Sequence, residues 1–182
     1  ELVETFGVDI GKEIIYSAAG GVIEAVTSSP RSLEGGRATF VIMNETHHWV
    51  TSNQGHDMAM TIAGNVAKAR GGGARTMEIT NAPLPGEDSV AERTWHSWSK
   101  IKEGKARDSG VYYDSVESPP VDLSDPEQLR AGIIAARGDA TWLDIDWIMS
   151  TIYSGHMPRS QSQRMFLNQL VTAEDQLIAP ED

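Results

Sequence analysis

Asn44 and Glu45 stand directly behind residues 38–43 (ATFVIM), a run that is apolar at nearly every position. In an open parallel sheet, ligands bind at the carboxyl ends of the strands, so a carboxylate leaving a strand there points into the usual site. Nucleotide hydrolysis needs two polar groups at that place. One holds the hydration shell of Mg2+, and the other orients or deprotonates the attacking water. By position, Asn44 takes the first role and Glu45 the second. The same pair would also serve to cap a following helix, and residue types alone leave both readings open.

Other groups carry weaker signals. Glu45, His47 and His48 are metal-ligand types, but the HExxH spacing is absent and adjacent histidines diverge on a helix. Packing by one histidine and shaping of a nucleotide pocket by the other is therefore expected over zinc. Glu87 and Asp88 are paired carboxylates, yet they follow Pro-Gly and precede Ser89, a placement for helix initiation rather than acid–base work. Asp144 and Asp146 lie two apart and do not share a helix face. Trp95 and Trp98 flank His96 at a spacing that suits core packing better than base stacking, and Trp142 and Trp147 are read the same way.

These residues need elements to hold them. Residues 11–16 and 20–28 read as two β-branched, apolar strands joined tightly, and 29–36 (SPRSLEGG) as a turn-rich loop. Apolar on both faces, 38–43 predicts a central strand covered by helices on both sides. Met58, Ile62 and Val66, four apart, predict a helix within 53–70 that Gly71, Gly72 and Gly73 terminate. Residues 76–80 (TMEIT) form the next strand, and 81–86 (NAPLPG) a loop kept out of any ladder by its prolines. Strand, helix and strand in that order make a crossover with a parallel sheet. Beyond residue 87 the pattern turns helical. A helix capped by Asp88 or Ser89 runs to about residue 105, 110–118 is a strand or extended segment, and Ser124-Asp125-Pro126-Glu127 starts a second helix. Two shorter helices follow over 143–153 and 160–172.

Composition bounds the function. The chain has 182 residues, 15 Lys+Arg against 26 Asp+Glu, and a formal net charge of -11. Its hydrophobic fraction of 40% can bury a core, which excludes disorder along the whole chain. No apolar run approaches the roughly eighteen residues of a bilayer span. The lack of cysteine excludes disulfides, thiolate metal sites and cysteine nucleophiles. The acidic balance argues against broad coating of nucleic acid, which Lys and Arg drive.

The segment SSPRSLEGGRATFVIMNETHHW, followed after a helix by MEITNAPLPGEDS, resembles the ATPase domain of the large terminase subunit of tailed bacteriophages. The resemblance runs from about Gly11 through RMFLNQL near the end of the chain. It implies a P-loop NTPase-like α/β fold, a parallel sheet flanked by helices, over 1–86, and a mainly helical subdomain with a linker over 87–182. It also implies ATP hydrolysis coupled to translocation of double-stranded phage DNA into procapsids. In that family the strand with its terminal acids is the Walker B motif, which makes Glu45 the catalytic glutamate. Asn44 then stands where the Mg2+-associated Asp is usual; it can hydrogen-bond a metal-bound water but brings no charge. Thr80 and Asn81 match the coupling motif, where a hydroxyl and an amide sense the gamma-phosphate, although turn chemistry also explains Asn-Ala-Pro. Arg37, with Arg31 as its competitor, lies where an arginine is proposed to reach a neighbouring subunit's nucleotide. The 159–164 stretch (RSQSQR) with Phe166 falls at the passage towards a nuclease domain, and packing is expected there before DNA contact.

The resemblance implies ATP and Mg2+ as cofactors. It implies the terminase small subunit, the portal and procapsid, and a homo-oligomeric ring as partners, in the host cytoplasm. No GxxxxGK[ST] run is present, so the phosphate cradle is expected before Glu1, and the segment alone should not hydrolyse ATP. A helicase-like P-loop NTPase shares this strand logic, and a non-catalytic assembly module with a degenerate NTPase fold is the alternative that Asn44 suggests.

Overall fold

The computed structural model describes residues 3, 5, 7–26 and 29–171. Within them the protein is mixed α/β. Strands β1 (Val8–Ile10), β2 (Ile14–Ser17) and β3 (Val22–Glu24) form an antiparallel meander, with Ile10 opposite Ile15 and Ile15 opposite Ile23. The two strands expected here are β2 and β3; the three residues of β1 are too few to show a pattern. Where a loop was expected, Pro30–Leu33 forms a single helical turn, α1, opened by the proline whose missing N–H has no role there.

The crossover unit follows as the pattern predicts. Strand β4 (Phe40–Asn44), helix α2 (Gly55–Ala67) and strand β5 (Arg75–Ile79) bring β4 and β5 together in parallel, with Met43 opposite Glu78 and Asn44 opposite Ile79. Met58 and Ile62 of α2 bury against Met43, with Leu33, Val41, Trp49 and Val66 around them. Each such side chain taken from water stabilises by about 1.5–3 kcal/mol. Helix α2 ends before the glycines, which instead shape the short turn Arg70–Gly72, where Gly71 sits at φ 72°.

The expectation that helices cover β4 on both faces does not hold among the described residues. Val41 and Met43 face α2, whereas Phe40 and Ile42 are 53% and 57% exposed, beside the also exposed Met77 and Ile79 of β5. The physical reason is the period of two along a strand. Helix α3 (Val90–Lys102) also reaches the Met43 side, since its Thr94 hydroxyl donates to the Glu78 carboxylate, so both helices share one face.

The helical half is held by its caps. Ser89 accepts from the Glu92 amide at the start of α3, and the Glu92 carboxylate in turn accepts from the amides of Gly86 and Asp88. Asp88 pairs with Arg93 of α3, so Asp88 serves the helix start, as expected. Asp125 caps α4 (Pro126–Arg137) and Asp144 caps α5 (Ile145–Tyr153), while α6 (Arg159–Leu167) follows a proline. Leu123, Leu129, Ile133, Met149 and Leu167 form the second core. Residues 106–122 contain no strand. Trp98 stacks on Tyr113 of this segment at 4.4 Å. Trp142 and Trp147 depart from the core-packing expectation and are 80% and 73% exposed. Helix α5 turns Ile145, Ile148, Met149 and Ile152 inward, a stripe that leaves Trp147 outside. Among the described residues no helix is long and apolar enough to cross a membrane.

Candidate functional site

The site grows out of the carboxyl end of β4. The Glu45 amide still continues the ladder, donating to the Ile79 carbonyl at 2.8 Å. Glu45 then turns left-handed (φ 55°, ψ 45°), and this uncommon conformation for a non-glycine residue throws the chain into a tight turn, Thr46–His48. Neither Asn44 nor Glu45 caps that turn or α2 through its side chain. The capping alternative is thus unused, and the Glu45 carboxylate is left half-exposed with His47 beside it.

The residues behind Glu45 tie it to β5. Thr46, fully buried, donates its hydroxyl to Glu78 Oε1 at 2.6 Å, while Thr94 occupies Oε2 at 2.9 Å. His47, 6% exposed, donates its backbone N–H to Thr80 Oγ1 at 3.0 Å and sets its ring Nδ1 3.1 Å from the same oxygen. Glu45 Oε2 lies 3.4 Å from that Nδ1. Thr80 passes its own hydroxyl proton to the Asn81 carbonyl at 2.9 Å. Burial is the main cause that lowers the proton affinity of His47; His48 and Arg164 add to it and Glu45 opposes it. The ring is therefore neutral near pH 7.

Asn44, Glu45, Thr80 and Asn81 are thus brought together at the ends of two adjacent strands. Arg37 is not. It is exposed before the amino end of β4, and that strand's five residues put roughly 16 Å between it and Glu45. Arg31 lies on α1. The adjacent histidines do not diverge as expected, because the chain forms a tight turn rather than an α-helix there: their rings lie 4.0 Å apart. Ligand atoms of Glu45, His47 and His48 fall within 4.8 Å of one another. Imidazoles with one carboxylate suit zinc, whereas the oxygens of Asn44 and Glu45 suit Mg2+ held through water.

The helical half grips the same region. Asn168 Oδ1 accepts from the Ala82 amide at 2.9 Å, and Arg164 Nε donates to the Ala82 carbonyl at 3.1 Å. Asn168 takes the left-handed conformation that ends α6, which asparagine tolerates, and its Nδ2 also donates to the Val116 carbonyl. Arg164 thereby fulfils the packing expectation for 159–164. Glu78, Asn168 and the linking role of His47 were not anticipated. Glu78 has a signal, a lone acid on the inward parity of TMEIT; Asn168 has none, since its partners lie 52 and 86 residues away. Replacing Asn168 with Ala leaves the Ala82 amide unpaired and should cost about 1 kcal/mol, read as a lower urea midpoint with an unchanged slope.

Comparison with known proteins gives two phage relatives. The chain is 44% identical over 202 aligned positions to the "Gene 13 protein" of Mycobacterium phage L5, and 43% identical over the same span to that of Mycobacterium phage D29. In each case the whole chain aligns with 34% of the relative, so the chain spans about a third of the length of the curated relatives it matches. No family model matches the chain. No solved structure matches it either.

Proposed function

We propose that this chain is part of the ATPase of a phage DNA-packaging motor, a terminase large subunit with a P-loop NTPase-like sheet. The observation that carries the reading is the junction of Glu45 and Thr80–Asn81 at the carboxyl ends of two parallel neighbours, linked through His47. A general base and a phosphate-sensing pair need that adjacency. The relatives being phage proteins agrees with it. So does the bare apolar face of Phe40, Ile42, Met77 and Ile79, since parallel sheets are normally covered on both faces and carry more strands than two.

In this reading Glu45 accepts the proton of the attacking water, and Asn44 orients water around Mg2+, which supplies charge neutralisation at the phosphates of ATP. Residues outside this chain supply the phosphate cradle. Arg37, far from Glu45 of its own chain, serves a neighbouring subunit's nucleotide in a homo-oligomeric ring. The partners are double-stranded phage DNA, the terminase small subunit and the portal of the procapsid, in the host cytoplasm. The test is ATP turnover by the intact protein with and without double-stranded DNA. Turnover that rises with DNA is expected, and its absence overturns the reading. Asn44, which brings no charge to a Mg2+ position, favours a second reading as a non-catalytic assembly module. Absence of both turnover and nucleotide binding would identify that module.

A further inference from the structure

The His47 ring raises a question that the strand-end reading leaves open. Its Nδ1 lies within 3.1 Å of Thr80 Oγ1 and 3.4 Å of Glu45 Oε2. A carboxylate only accepts hydrogen bonds. The Thr80 hydroxyl has one proton, already given to the Asn81 carbonyl, and one of its lone pairs receives the His47 backbone N–H. Two acceptors therefore face Nδ1, and the arrangement is satisfied only when the ring proton sits on Nδ1. Placing the lone pair there instead would set it against the carboxylate and pull the Thr80 proton away from Asn81.

We propose that His47 is a positioning residue whose single Nδ1–H is shared between Glu45 and Thr80, so that the place of the carboxylate and the orientation of the Thr80–Asn81 pair are set together. The proposal rests on the ATPase reading above and adds to it the group that links base to sensor. When Glu45 holds the ring proton, Thr80 keeps only the backbone donor. When Glu45 turns to a water, the ring N–H belongs to Thr80, and Asn81 is held through the Thr80 hydroxyl. The ring is fixed for this task by burial and by the tight turn that Thr46 anchors on Glu78. The charged or titratable groups around it are Glu45, His48 and Arg164.

The experiment measures DNA-stimulated turnover in the intact protein with His47→Leu, which keeps volume and removes the donor, and His47→Asn, whose amide N–H falls near the Nδ1 position. Loss of one shared hydrogen bond in the reacting state is expected to lower kcat by about tenfold in His47→Leu, with KM for ATP little changed, and Asn should restore most of it. Thr80→Val should lower kcat likewise, and the double variant should be no worse than either single one. Normal kcat in a folded His47→Leu, failure of Asn to rescue, or additive losses would overturn the proposal. Long-range nitrogen–proton NMR of the unsubstituted protein reads the tautomer whether or not the variants fold, and an Nε2–H ring would also overturn it. If the unsubstituted intact protein shows no DNA-stimulated turnover, the ATPase reading falls; if it does and Glu45→Gln abolishes that turnover while His47→Leu does not, only this inference falls.

Discussion

Glu45→Gln in the intact protein should lower DNA-stimulated ATP turnover by between about a hundredfold and ten-thousandfold, the usual contribution of a positioned general base. Glutamine matches glutamate in length and keeps an oxygen that can orient water, but it does not take up a proton. KM for ATP should change little, because the lost interaction develops only as the water is deprotonated. The fold should survive the change. Glu45 is half-exposed, caps no helix, and keeps its backbone bond to the Ile79 carbonyl whatever its side chain. Its left-handed backbone is as open to glutamine as to glutamate. Rates equal to those of the parent would remove Glu45 from the chemistry.

The reach of the sequence follows from how each feature is encoded. The β4, α2 and β5 unit is legible because a continuous apolar run, an apolar repeat of about four and a second short strand pattern follow one another within forty residues, and local pattern carries that change. The helix starts at Ser89 and Asp125 are legible for a similar reason, since a cap is a property of consecutive residues. The face of β4 that stays open is not legible. An apolar strand reads as buried on both sides, and only the placement of α2 and α3 on one face decides which residues are covered. The site divides in the same way. Glu45 and Thr80 mark themselves by standing at strand ends, whereas the use of His47 depends on a left-handed turn at Glu45 that a non-glycine residue does not announce. Asn168, and the partner that Arg164 packs on, lie further still beyond reach, because contact with Ala82 is set by tertiary docking rather than by neighbours in the chain.

Gly55→Ala should be the most damaging single-methyl change in the β4–α2 region. Gly55 opens α2 pressed against the strap that carries His47 and Trp49: a methyl there would lie 2.5 Å from the Cα and carbonyl carbon of Trp49. These are backbone atoms, so no rotamer change relieves the contact, and either α2 or the strap must move. The Gly55 amide is also committed, to the Val50 carbonyl and the Asn53 side chain. Overpacking of this kind costs about 3 kcal/mol at the upper end of its usual range. For a chain of this size that lowers Tm by about 6–12 °C. Gly64 provides the internal comparison, being in the same helix with nothing within 4 Å of the position its methyl would take. Gly64→Ala should raise stability by about 0.5–1 kcal/mol, because alanine is the better helix former and restricts the unfolded chain. The two changes add the same atom to one helix and should move the thermal midpoint in opposite directions. A parallel shift would mean that helix propensity, and not the approach of α2 to Trp49, governs this junction. Displacement of the strap also predicts that Gly55→Ala disturbs the His47 ring resonances at temperatures where the protein is still folded, while Gly64→Ala leaves them in place.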